Sequence, residues 1–151
     1  MMRRIVVEAA DFDVGAEIAA LSDGRADVGA VASFVGLCRD EGGRLAALEL
    51  EHYSGMAEAE IGRVADEAAA RWPLLGLTVI HRHGRIPPGG RIVLVACASS
   101  HREAAFAAAE FLMDFLKTRA PFWKKEHLVD GTAGDWVAAK AEDDARTGRW
   151  G

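Results

Sequence analysis

The sequence predicts an α+β fold: a mixed, mainly antiparallel sheet with helices packed on it. Three observations predict it. Several short segments alternate apolar and polar residues with period two, and two longer segments repeat apolar residues at helical spacing and each stop at a proline. The order is strand, strand, strand, helix, strand, strand, helix and irregular tail, without the strict strand–helix alternation of a parallel sheet. The chain has 151 residues, 50% of them hydrophobic, and no internal repeat or low-complexity linker, so one domain over 1–151 with one core is expected.

Ile5 to Glu8 reads as a short strand, and no element is assigned between it and Val28. From Val28 to Leu37, Val28, Ala30, Ala32 and Phe34 alternate with Val31, Ser33 and Val35, which is strand patterning. Arg39 to Gly43 is turn-rich. Leu48, Leu50 and His52 then share one strand face, with Glu49 and Glu51 on the other. Met56 to Trp72 carries Ile61, Val64, Ala65, Ala68 and Trp72 at helical spacing, and Pro73 ends it. Leu77 to His83 and Arg91 to Ala98 are strands joined by the hairpin loop 84–90. The continuous run Ile92 to Ala96 marks a central strand buried on both faces.

Ser100 to Glu103 has the form of a capping box, predicting a helix to about Ala120 with Phe106, Ala109, Met113 and Leu116 as its seam and Pro121 as its stop. Helices on one face of the sheet are expected. Phe122 to Leu128 is a further strand candidate, followed by an Asp130-Gly131 turn and an acidic tail with Trp136 and Trp150.

Composition excludes several classes. A formal net charge of −5 argues against a general nucleic-acid binder. No uncharged apolar run is long enough to span a bilayer, and the apolar start ends at once in Glu8 and Asp11, too short for a signal peptide. Cys38 and Cys97 form no CxxC pattern, which reads as a reducing, cytoplasmic setting.

Against the acidic total stands a local basic patch of Lys117, Arg119, Lys124 and Lys125, suited to an anionic ligand. Arg39 follows a strand, and His101 and Arg102 open a helix whose free amides and dipole favour phosphate; equally, these two residues decorate an exposed first turn. Lys117 and Lys124 flank the Pro121 turn. Beside apolar surface or another cation their amines gain a lowered pKa and acid–base capacity, or they snorkel with heads in water. A helix of about nineteen residues is about 28 Å long, so His101 and Lys117 act on one ligand only if a second copy supplies one end. His81 and His83, two apart on a strand, permit a metal pair or are surface histidines without a third ligand. Cys38 beside Arg39 is either an activated thiol or a small residue closing a strand. The loop 84–90 has no nucleotide-cradle pattern.

The segment Lys117-Thr118-Arg119-Ala120-Pro121-Phe122-Trp123-Lys124 resembles the signature of the molybdopterin synthase large (catalytic) subunit family. The resemblance continues through 33–39, 50–56, 71–74, 79–84 and 99–102 in the same order, with Ser54, Cys38 and His83 as mild departures. It implies an α/β hammerhead fold and a homodimer forming the core of a heterotetramer. It also implies a small ubiquitin-like sulfur carrier whose C-terminal Gly-Gly thiocarboxylate delivers sulfur to cyclic pyranopterin monophosphate. The family's catalytic lysines fall on Lys117 and Lys124, its substrate-anion contacts on Arg39, His101 and Arg102, and Phe34 and Met113 match positions near the pocket. No cofactor, metal, nucleic acid or membrane is implied. The alternatives are a non-catalytic phosphate- or RNA-binding α+β module, and a scaffold that docks the carrier without activity.

Overall fold

The computed structural model describes residues 1–119, 121–137, 147, 148 and 150. Its elements are β1 (Met2–Glu8), α1 (Val14–Ser22), β2 (Ala30–Leu37), β3 (Leu45–His52), α2 (Met56–Arg71), β4 (Leu74–Arg82), β5 (Gly84–Ile86), β6 (Arg91–Ser99), α3 (Arg102–Thr118) and β7 (Phe122–Leu128). The strands form two sheets, ordered β1-β4-β6-β2 and β5-β3-β7. Only the β1–β4 pair among the named strands is parallel, so the expected mixed, mainly antiparallel α+β architecture is present.

β6 is central, as its unbroken apolar run requires. Val93, Val95 and Cys97 point into one cluster with Ile61, Val64 and Ala65 of α2 and Phe111 and Leu112 of α3. Leu94, Ala96 and Ala98 point to the opposite face, against Phe12 and Leu21. Helices therefore lie on both faces, not one. The unforeseen helix is α1, which Asp13 caps by accepting from the Ala16 N–H at 3.1 Å. Its alanine-rich sequence buries Leu21 alone, so it shows no long apolar stripe to read.

Local chemistry explains the other boundaries. Gly55 stands at φ +82°, where a side chain would strain the backbone. From there its N–H donates to the Glu58 carboxylate at 2.6 Å, fastening the start of α2. The capping box expected at Ser100 does not form. His101 is the N-cap of α3 and makes no side-chain cap bond, while the Ser100 hydroxyl donates to the Asp27 carbonyl at 3.3 Å. Gly29 passes so close that a Cβ there would lie 2.0 Å from the Ser100 carbonyl oxygen. This crossing of two backbones takes Ser100 away from the helix end.

The seam of α3 also departs from expectation at one position. Phe106 is 65% exposed, and the buried side is Ala104, Ala105, Ala108, Ala109, Phe111, Leu112 and Leu116. Small alanines let α3 approach the sheet, and Phe111 supplies the bulk, edge-on to Trp72 and Trp150 with centroids 5.3 Å and 5.6 Å away. The indole N–H of Trp150 donates to buried Asp114 at 2.6 Å, so the end of the chain returns to α3. Residues 84–86, expected as loop, leave the β4–β6 hairpin and pair with β3. Among the described residues, no helix is long and apolar enough to cross a membrane.

Candidate active site

The second sheet packs its inner face through Leu50, Cys38 and Ile86, with Leu45, Leu48 and Ile92 around them. Next to this small core opens a cavity of about 750 Å³. Leu45, Leu48, Leu50, Ile92, Leu116 and Phe122 contribute its apolar wall. Its cations come from three places: Arg39 and Arg44 from the loop between β2 and β3, Lys117 from the end of α3, and Lys124 from β7. The turn after α3 makes this possible, because β7 runs back antiparallel to β3 with Lys124 opposite Leu50. Lys124 is held on its other edge by the Val137 backbone, at 2.9 Å and 2.8 Å.

The residues singled out by sequence divide into two groups. Arg39, Lys117 and Lys124 line one cavity. His101 and Arg102 are exposed at the opposite end of α3, and fifteen to sixteen residues of helix put them about 24 Å from Lys117 along its axis. Phe34, 43% exposed on β2, and Met113, partly buried against the main core, do not line the cavity either.

Arg119 does not belong to the anion patch. Its guanidinium donates to Glu60 at 3.0 Å and Glu67 at 2.9 Å on α2, and lies over the Phe115 ring. Lys125 lies over Trp136, 5.5 Å from the ring centroid, and is not part of the cavity wall. Arg39 is itself ion-paired with Glu41, and both side chains are largely exposed.

His81 is the cavity residue whose role sequence left unresolved. Its ring stacks on Phe122 with centroids 3.8 Å apart and planes 15° from parallel. Phe122 also meets His52, and His52 meets His83 at 4.4 Å. His81 Nδ1 lies 2.9 Å from the Arg82 carbonyl, and an acceptor there requires that Nδ1 carry the proton. Burial, chiefly, lowers the His81 pKa to about 4, with the Lys117, His52 and His83 charges acting the same way and the Arg82 bond opposing. His81 and His83 are thus ring-stacking partners of Phe122 and His52. Among the described residues, no group of three or more His, Cys, Asp or Glu is placed to hold a metal ion.

Cys38 is 3% exposed and lines the cavity. Its N–H donates to the Gly90 carbonyl and its carbonyl accepts from Gly89, so it closes β2 against the hairpin loop, the structural role expected of it. Burial, then the Asp40 and Glu126 charges, push its thiol above the ordinary range, only partly opposed by a backbone bond at Leu48. It is held as a thiol at neutral pH. Arg44, Leu45 and His81 escaped the sequence search as cavity residues. No local pattern signals them, because the cavity is walled by strands and a helix end drawn from distant segments.

The family model described as MoaE protein matches residues 7–119. The molybdopterin synthase catalytic subunit of Mesorhizobium japonicum is 70% identical over 144 residues, covering 95% of this chain and 91% of that one. The solved molybdopterin biosynthesis MoaE protein from Burkholderia ambifaria superposes with a TM-score of 0.85 at 49% identity, covering 99% of this chain and 98% of that one. The crystal structure of molybdopterin synthase from Staphylococcus aureus gives a TM-score of 0.78 at 28% identity, with 87% and 95% coverage.

Proposed function

The chain belongs to the MoaE protein family, and so to the catalytic subunits of molybdopterin synthase that act in molybdenum cofactor biosynthesis, and we propose that the reaction it performs is sulfur transfer. The donor is the C-terminal thiocarboxylate of a small ubiquitin-like carrier subunit. The acceptor is cyclic pyranopterin monophosphate, which gains the dithiolene.

One observation carries this reading: Lys117, Lys124 and Arg39, drawn from three separate segments, line one cavity with an apolar wall. Thiocarboxylate and cyclic phosphate are both anions. Bringing them together in water-poor space is opposed by their repulsion, which fixed cations offset more strongly than they would in bulk water. Lys117 contacts the carrier's terminal carbonyl and assists acyl and proton transfer, with Lys124 as second acid–base group or anion clamp. Sulfur arrives already activated, so a buried thiol such as Cys38 is not required as a relay.

His101, Arg102, Phe34 and Met113 complete the substrate site across a homodimer, the partner copy bringing its helix start to this copy's Lys117. Two carriers on that dimer make a heterotetramer. The setting is cytoplasmic, in keeping with Cys38 and Cys97 as buried free thiols. The test is incubation with thiocarboxylated carrier and cyclic pyranopterin monophosphate, followed by mass analysis of the pterin. Gain of two sulfurs is expected, and an unchanged pterin with folded, carrier-bound protein would overturn the assignment.

A further inference from the structure

Trp150 does not line the cavity, yet its contacts converge on the part of α3 that leads to it. Its indole N–H donates to the buried Asp114 carboxylate at 2.6 Å. Its ring stands edge-on to Phe111 of α3 and to Trp72 at the end of α2, with centroids 5.6 Å and 5.7 Å away. The Arg71 guanidinium donates to the Trp150 carbonyl at 2.7 Å and lies over the Phe111 ring. Asp114 stands three residues before Lys117, about one helical turn, and its carbonyl accepts from the Thr118 hydroxyl at 3.3 Å. We propose that Trp150 is a positioning residue, a latch that ties the Asp114 turn of α3 to the end of α2 and so fixes the backbone from which Lys117 reaches the cavity.

A helix end needs such a hold. The final carbonyls of α3 have no partner within the helix, and a last turn opens readily unless tertiary contacts close it. Lys117 is exposed, so its own side chain adds little packing. Buried Leu116 and the bonds from Arg119 to Glu60 and Glu67 anchor the last turn, and Trp150 anchors the turn before it. The contact combines direction with area: one bond from the indole to a carboxylate, and two aromatic edges. Placement of an acid–base group matters steeply, since a shift of about 1 Å can cost about 100-fold in rate. The effect of Trp150 on turnover rests on the proposed role of Lys117, whereas its hold on α3 does not.

Hydrogen exchange in the full-length protein separates this local hold from a general contribution to stability. Amides of the central strand β6 exchange through global unfolding, and those of a helix end through local opening. Trp150→Ala is expected to speed exchange of the amides of residues 115–119 about ten-fold or more. Trp150→Phe, which keeps a ring against Trp72 and Phe111 but loses the N–H, should fall between that variant and wild type. In the sulfur-transfer assay, run well below the unfolding temperature, Trp150→Ala should lower kcat about ten-fold with the KM for carrier unchanged, and Trp150→Phe should recover part of the loss. The chain has four tryptophans, so their indole N–H signals are few enough to assign, and that of Trp150 should be protected in the wild type.

Faster exchange in β6 with unchanged amides at 115–119 in Trp150→Ala would make Trp150 a general stabiliser and overturn the proposal. A Trp150 indole proton that exchanges as freely as that of a solvent-exposed tryptophan would overturn it too, as would loosened amides with wild-type kcat. Normal turnover by Lys117→Arg would sink the functional reading of Lys117 while leaving the exchange result standing.

Discussion

Replacing Arg119 by alanine separates a structural cation from a ligand-binding one. The guanidinium joins α3 to α2 through Glu60 and Glu67, with side chains 33%, 17% and 41% exposed respectively. It also lies 5.2 Å from the Phe115 centroid. Partly exposed charge-assisted bonds of this kind are discounted by solvent, so the pair and the ring contact together contribute about 1–2 kcal/mol. For a chain of this size, losing them lowers Tm by roughly 3–6 °C. The pH dependence has a definite sign. Burial pushes the Glu60 carboxyl up, but bonds from Arg63 and Arg119 outweigh it and hold the pKa below the ordinary value. That stabilisation is present above the unfolded pKa and is lost as pH falls through the folded one. Urea unfolding of Arg119→Ala, Glu60→Gln and the double variant at pH 7 and pH 3 measures it. A coupling between the two positions at pH 7 that fades at pH 3 is expected. An Arg119→Ala protein with wild-type stability but weaker, less salt-dependent phosphate binding would return Arg119 to the anion patch.

Lys117→Arg keeps its charge but not the shape or acid–base capacity of the amine, so carrier docking should persist while turnover falls about 100-fold or more in single-turnover assays. Lys124→Ala should also impair turnover, whereas Lys125→Ala, outside the cavity wall, should behave nearly as wild type; equal, salt-sensitive losses at all three would mean a diffuse electrostatic surface. Burial pushes the Cys97 thiol up to about 12, and folded Cys38→Ala/Cys97→Ala should still transfer sulfur, as a thiocarboxylate assay would record. Because burial lowers the His81 pKa to about 4, the unfolded chain takes up a proton that the native one refuses as pH falls from about 6.5 to 4. Wild type should thus lose about 3 kcal/mol over that window, relative to His81→Phe, in urea unfolding. Mixing inactive Lys117→Arg with inactive His101→Ala/Arg102→Ala should regenerate about a quarter of wild-type activity, since half the random dimers carry one intact composite site; no recovery after demonstrated subunit exchange would place the site within one chain.

Where one segment decides its own structure, the sequence was readable. β6 shows its burial on both faces in an unbroken apolar run, and α2 shows its stripe and stop. The resemblance carried by Lys117 to Lys124 pointed to the family, and Arg39, Lys117 and Lys124 do meet in the cavity. What failed depended on distant partners. The Ser100 hydroxyl turned to Asp27 because Gly29 brings that backbone against it. Arg119 was read among neighbouring bases, yet its partners lie 59 and 52 positions away on α2. α1 buries a single leucine against residues of β4 and β6, a contact that periodicity within nine residues does not reveal.

The same distinction governs the cavity's charge. Asp40, Glu41 and Glu126 line it beside Arg39, Arg44, Lys117 and Lys124, so it is far from a uniform basic hole in an acidic protein. Arg39 is occupied by Glu41, but both side chains are largely exposed, and such a pair is worth only about 0–1 kcal/mol. An incoming anion exchanges for Glu41 at little expense. Lys117, exposed at the end of α3, and Lys124, half-buried on β7, line the same cavity as the apolar side chains of Leu116 and Phe122. With Asp40, Glu41 and Glu126 offsetting the cations in number, the proposed recognition of an anion is expected to depend on where each cation stands more than on the summed charge of the lining.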